Sequence, residues 1–495
     1  MHVRVAARTR RRGLTLSSFS GSDVLRWPVV GTFLRWRRAR TTLQLVLLFL
    51  ASLVVLSGLF GSRSDPTNLA TVLTWVHYRG WLVVTLLAAG NFFCTGCPFV
   101  LVRDAGRRVQ SPWRHWPRRL RTKWVGIALL VAVFFSYELF DLWALPRATA
   151  FLVLAYFAAA FAIDLVFTGA TFCKYLCPIG QFNFVASTMS PLELRIKAPD
   201  TCRTCQTADC IKGRRSVEAP QVVLQRGCEL RLFLPLKVGN MDCTFCLDCV
   251  QACPHDNIAL ATRVPGAELA DAGRRSGIGR FARRWDIAAL AVVFCFGGLL
   301  NAFGMVSPVY GVEQWLSRAM GVTSEAPVLA VLFAAGLGIA PLVLLGGAAT
   351  FTTLLAADRV RSLSQTAVNY AYALIPFGFG VWLAHYGFHL LTGALTIVPV
   401  TERAAIDMLG WAALGEPQWR WTGMRPGSVF PIQVGFILLG TVGSLAVAYR
   451  ISERDHPERP GRSTAPWAVV VLALATAALW VLSQPMEMRG LGFAG

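Results

Sequence analysis

The chain has 495 residues, 55% of them apolar and only 15% charged, and 48 Lys+Arg against 27 Asp+Glu leave a formal net charge of +21. Soluble domains carry about 25% charged residues, so the composition excludes an ordinary soluble globular protein. A nucleic-acid binder needs its basic residues on one wetted surface; here long apolar stretches separate the basic blocks, and no nucleic-acid partner is expected.

A membrane-spanning helix needs about 20 mainly apolar residues. Nine stretches qualify: 41–61, 80–101, 124–144, 149–170, 285–306, 327–350, 369–396, 430–449 and 465–483. Backbone in lipid must satisfy its own hydrogen bonds, so the expected fold is an all-α polytopic membrane protein of about nine transmembrane helices with one inserted domain. Lys and Arg in short loops mark the cytoplasmic side. Residues 1–40 carry +9, residues 103–123 +7 and residues 170–284 +6, which leaves −1 for the rest of the chain. Nine spans that begin inside place those three segments, and the turns at Arg359 and Arg454, in the cytoplasm. The C-terminus then lies outside a bacterial-type inner membrane. The run Arg10-Arg11-Arg12 lies far ahead of the first span with no small-residue cleavage site after it. It reads as a cytoplasmic anchor against anionic lipid rather than a twin-arginine export signal. Four regions follow: a basic N-terminus (1–40), a four-helix membrane region (41–190), a cytoplasmic insert (191–284) and a five-helix membrane region (285–495).

Thirteen Cys is the second unusual number, and ten of them lie between residues 170 and 284. In a reducing cytoplasm they read as metal ligands rather than disulfides. Cys243-Thr-Phe-Cys246-Leu-Asp-Cys249-Val-Gln-Ala-Cys253-Pro254 is C-x2-C-x2-C-x3-C-P, the bacterial ferredoxin run, whose fourth Cys ligates a second cluster. The short spacings let one loop wrap three thiolates around a corner of an iron-sulfur cube. Cys202, Cys205 and Cys210 supply the partners that Cys253 then needs, and Cys228 completes the set of Cys243, Cys246 and Cys249. Two 4Fe-4S clusters in a ferredoxin-like domain are expected. A lone downstream cluster and a four-cysteine zinc site are the alternatives; zinc sites use two separated Cys pairs and have no use for the third Cys or the trailing Pro.

Two further pairs, Cys94-Thr-Gly-Cys97-Pro98 and Cys173-Lys-Tyr-Leu-Cys177-Pro178, fall at the cytoplasmic ends of the second and fourth spans, at one depth beside the insert. Pro stops a helix from continuing and leaves each pair on a turn facing the other. Three readings stay open: a further redox centre between membrane and insert, a dithiol/disulfide pair, or small buried hydrophobes. Cys295, alone inside the fifth span, reads as packing.

The two Cys-Pro pairs at helix ends, together with the C-x2-C-x2-C-x3-C-P run in a multi-span chain, resemble the NapH/NosR/CcoG-like membrane polyferredoxins. The resemblance covers about residues 80–260. It implies quinol oxidation feeding periplasmic nitrate and nitrous-oxide reductases, or copper handling for oxidase assembly. Family pairs are C-x3-C-P; Cys173 to Pro178 matches, whereas Cys94 to Pro98 is one residue short. The five later spans have no counterpart in the shortest members, so the resemblance assigns no partner or substrate to them.

Ionisable groups at membrane depth are functional candidates. Tyr137, Glu138 and Asp141 lie toward the outer end of the third span and Asp164 within the fourth. A quinol gives up protons as it gives up electrons, so Glu138 and Asp141 read as proton acceptors beside its ring; the alternative is a wetted interface with Trp143. His385 and His389 are four apart, hence on one helix face, near Trp382 and Tyr386. They cannot clamp one haem between them, and each needs a partner such as His77; haem b therefore ranks below a quinone or proton site, and otherwise the two read as hydrogen-bonded interior histidines. The outer loop 397–429, with Trp411, Trp419 and Trp421, reads as a periplasmic docking or interfacial segment. The whole reads as an iron-sulfur electron-transfer protein between the quinone pool or a redox protein partner and 4Fe-4S clusters, of quinol dehydrogenase type. Copper reduction or cofactor assembly is the alternative, and transport a third reading.

Overall fold

The computed structural model describes residues 21–61, 67–109, 112–219, 223–271, 275–276, 278–356 and 362–486. The run Arg10–Arg12 and the turn at Arg359 lie outside the described residues.

Eight helices are long and apolar enough to cross a membrane: Ala39–Phe60, Leu69–Ala89, Pro146–Val166, Trp285–Phe303, Glu325–Ala356, Leu363–Thr392, Pro426–Asp455 and Pro460–Ser483. The ninth expected span is the shorter apolar helix Trp124–Leu139. At 1.5 Å per residue it reaches about 24 Å, because the chain breaks into turns after Leu139 and Asp141 adopts a positive φ of 45°. The second span also differs from its expected bounds of 80–101. It ends at Ala89, where Gly90 takes φ 79°, a conformation other residues rarely adopt. The apolar residues beyond that point form the Cys94 turn and the start of a separate helix, Pro98–Val109. The span begins eleven residues earlier than expected, at Leu69, because it takes in Trp75, His77 and Arg79, polar groups that interrupt the hydropathy.

Leu363–Thr392 is the core of the membrane part, with 94% of its most apolar window buried. It packs against Pro426–Asp455, Trp285–Phe303 and Leu69–Ala89. Small residues bring membrane helices close: a Cβ at Gly380 would meet the Phe436 carbonyl at 2.5 Å, and one at Gly440 the Pro376 carbonyl at 2.8 Å.

All named strands among the described residues lie in the insert. Leu192–Ile196 pairs antiparallel with Ile258–Thr262, Leu194 opposite Leu260, and both residues are buried. This pairing brings the start of the insert back to its end, on either side of eight Cys. The segment after residue 20 is no free tail: the Thr262 N–H donates to the Ser22 carbonyl at 3.1 Å, the Leu260 N–H to Asp23 Oδ1 at 3.2 Å, and Val24 and Leu25 are buried.

Candidate functional site

The loop Asp242–Asp248 packs against the membrane part. Asp242, Phe245 and Leu247 hold positive φ of 62°, 53° and 61°, which costs of order 1–3 kcal/mol per residue and needs support from its surroundings. That support comes from the Cys94 turn. Thr95 Oγ1 donates to the Phe245 carbonyl at 2.7 Å, Asn91 Nδ2 to the Cys243 carbonyl at 3.0 Å, and the Phe92 and Phe245 rings meet at 5.9 Å.

The eight insert thiols fall into two neighbouring sets. Cys202, Cys205, Cys210 and Cys253 line one pocket, with Ile196, Leu234 and Ile258 as its apolar walls. Asn257 donates to this distal set through its amide to Cys202 Sγ at 3.3 Å and through its backbone N–H to Cys253 Sγ at 3.4 Å. In the proximal set Cys243, Cys246 and Cys249 are buried; Cys249 has Cys228 and Cys243 as electrostatic neighbours, and Cys228 is also a neighbour of Cys246. The Cys228 N–H donates to the Cys210 carbonyl at 2.8 Å, so the sets adjoin. Burial and then neighbouring thiols push Cys210 up to about 12, and burial pushes Cys228 up to about 11. Such thiols keep their protons until a metal displaces them.

Among the described residues no three His, Cys, Asp or Glu side chains are placed to hold one metal ion. A cube interposes an iron between each thiolate and the centre, so its four sulfurs stand wider apart than the ligands of one ion. Four thiols around a common pocket, with amide donors and apolar walls, fit that group chemically.

The four edge thiols also gather. Cys97 has Cys94, Cys173 and Cys177 among its electrostatic neighbours. Pro98 and Pro178 begin new helices, Pro98–Val109 and Pro178–Ala186, after Phe92–Thr95 and Phe172–Leu176 have ended. Pro suits the first helical position because its missing N–H is not needed there. Cys177 is thereby the N-cap of its helix, and Gly180 N–H donates to its Sγ at 3.2 Å.

Sequence reasoning missed the buried ion network that joins insert to membrane helices. Arg40 pairs with Glu229 at 2.9 Å and Asp248 at 2.7 Å; Arg103 pairs with Glu229 at 2.8 Å, Asp104 at 2.9 Å and Asp164 at 3.5 Å. The Arg103 side chain is 2% exposed. Burial by itself would raise Glu229, yet the two guanidiniums hold it well below the usual carboxylate range. Asp164 is thus a partner in this network, and its Oδ1 accepts from the Phe172 N–H at 2.8 Å. Lys123 and Asp242 form a second buried pair between the same two bodies of structure.

At the end of Trp124–Leu139 remote from Lys123, Glu138 lines a pocket with Phe134, Leu300, Asn301, Leu332 and Phe333. Asn301 Nδ2 donates to Glu138 Oε1 at 3.1 Å. Asp141 sits in the following turn and is not among the pocket residues. Arg79, also missed because it fell one residue before the expected span, stacks its guanidinium on Trp75, Tyr137 and Tyr386 at 4.3, 4.1 and 5.1 Å. His385 and His389 are buried edge to face at 4.9 Å, and both His385 nitrogens and His389 Nε2 lack a hydrogen-bond partner among the described residues. His77 is not paired with either; its Nε2 meets Thr396 Oγ1 at 3.3 Å. Phe134 in the pocket, Trp382 and Phe182 form a run of rings 5.6 and 5.1 Å apart, and Phe182 precedes Asn183, which donates to Cys94 Sγ at 3.4 Å. Cys295 is fully buried inside Trp285–Phe303.

No protein-family model and no solved structure matches the chain. A stretch of 94 residues is 30% identical to a protein of Escherichia coli (strain K12) named "Putative electron transport protein YccM"; it covers 19% of this chain and 22% of that protein. The match thus spans about a fifth of the length of either chain.

Proposed function

We propose that this is a membrane electron-transfer protein whose insert holds two 4Fe-4S clusters and exchanges electrons with a quinol in the membrane. The observation that carries the reading is the division of eight insert Cys into two sets of four, one of them lining a single pocket. The similarity to a protein named for electron transport agrees with it, as do the eight apolar helices and the concentration of positive charge on 1–40, 103–123 and 170–284. The insert lies on the cytoplasmic side of a bacterial-type inner membrane.

Clusters of this type supply reversible one-electron exchange. The chain's own residues set the conditions for it. Cys202, Cys205, Cys210 and Cys253 hold the distal group, and Cys228, Cys243, Cys246 and Cys249 the proximal one. Asn257 donates hydrogen bonds to two of these sulfurs, and such bonds favour the reduced state. The pocket at Glu138 has walls that are apolar apart from groups such as Glu138 and Asn301. Glu138 takes the proton that a quinol hydroxyl releases, while Asn301 holds the carboxylate in place.

Glu138→Gln keeps the shape and the bond to Asn301 but cannot accept that proton. Quinol-driven reduction of the clusters should slow by about a hundred-fold or more, the range of a lost general base, with the dithionite-reduced spectrum unchanged. Anaerobic absorbance of the protein in vesicles, after addition of a short-chain ubiquinol or menaquinol, reads the rate. Reduction only by a soluble donor, or only with copper present, contradicts the quinol reading.

A further inference from the structure

We propose that Cys94, Cys97, Cys173 and Cys177 hold a third 4Fe-4S cluster, which couples the proximal set to the membrane interior; this rests on the electron-transfer reading and extends it. Buried free Cys is ordinarily a small hydrophobe, and packing alone requires no donors aimed at sulfur. Here the donors are present. The Gly180 N–H donates to Cys177 Sγ at 3.2 Å. Gly180 lies in the first turn of the nine-residue helix Pro178–Ala186, whose positive end favours anions, and Cys97 immediately precedes the twelve-residue helix Pro98–Val109. Asn183, 1% exposed, aims its amide at Cys94, and its Oδ1 has no partner. Arg103 and Arg40 both act on Cys97, adding positive charge beside a site that four thiolates would make negative. Phe99, Tyr156 and Phe172 pack around Cys173 and Cys177 and keep water out.

A single metal ion fits less well. No three of them are placed to hold one ion, whereas a cube takes four thiolates at wider spacing. On assembly the four thiols lose four protons to solvent as iron-sulfur bonds form. Electron exchange with the proximal set then makes and breaks no bond: one cluster loses one electron as the other gains it, and the quinol is the source. The hydrogen bonds from Thr95 to Phe245 and from Asn91 to Cys243 tie the two sets together.

The test compares the full chain, purified anaerobically, with its Cys97→Ser/Cys177→Ser variant. Wild type should carry about twelve irons and as many sulfides per chain, and the variant about four fewer, at four per cube, with the insert's EPR signals retained. Should the variant fail to fold, wild type alone decides. Native alkylation with iodoacetamide and peptide mass spectrometry should find the four edge thiols protected until oxidant and chelator destroy the clusters. About eight irons in wild type with alkylated edge thiols, or copper bound there instead, overturns the third cluster and leaves the insert reading standing. No iron at all overturns both.

Discussion

Replacing Arg103 with Met should be among the most damaging single changes in the chain, costing about 3–5 kcal/mol as the loss of one partner of a buried ion pair does. The size follows from burial. Arg103 is 2% exposed, and its partners Glu229 and Asp164 are 9% and 1% exposed. Without Arg103, Asp164 loses its salt bridge and Glu229 keeps only Arg40. These contacts join Pro98–Val109, the fourth span and the insert, so the loss should appear as release of the insert rather than collapse of the bundle. Thermal loss of cluster absorbance and the rate of tryptic cutting within 191–284 read it. Arg103→Lys should fall between, since one ammonium cannot replace a fork that reaches three carboxylates. A cost under about 1 kcal/mol would match an exposed pair and contradict the buried network.

Cys249→Ser should remove the proximal cluster and with it the electron route to the distal one. Cys249 sits among Cys228, Cys243 and Cys210, at the join between the two sets. The distal pocket does not include Cys249, so its iron should remain. Dithionite should still reduce that remaining cluster from solution, whereas quinol in vesicles should no longer do so at a rate above background. Stopped-flow absorbance with each donor separates the two routes. Equal quinol-driven rates in wild type and variant would mean that the distal set receives electrons without the proximal one.

The parts of this arrangement legible in the sequence are those set by short spacings. C-x2-C-x2-C-x3-C-P carries its ligand logic within eleven residues, and Cys253 lines the same pocket as Cys202, Cys205 and Cys210. The two Cys-Pro pairs are legible as neighbours for a different reason, the span ends at which they fall, since Cys97 and Cys173 are far apart in the chain. The ion network was not, because Arg103 and Glu229 are 126 positions apart and nothing local to either marks the other. The second span was misplaced because Arg79 broke the hydropathy pattern; rings on Trp75, Tyr137 and Tyr386 are what let a guanidinium stay there. The third span was drawn too long because an apolar count cannot see the turn at Asp141. The pairing of His77 with Thr396, 319 positions away, was equally invisible.

Iron and acid-labile sulfide per chain after anaerobic purification, with EPR of the dithionite-reduced protein, test the central claim most directly. The insert should account for about eight irons and eight sulfides, as two cubes require, with the reduced clusters giving signals that Cys253→Ser and Cys246→Ser remove one at a time. Zinc in place of iron, or iron without sulfide, would contradict the account.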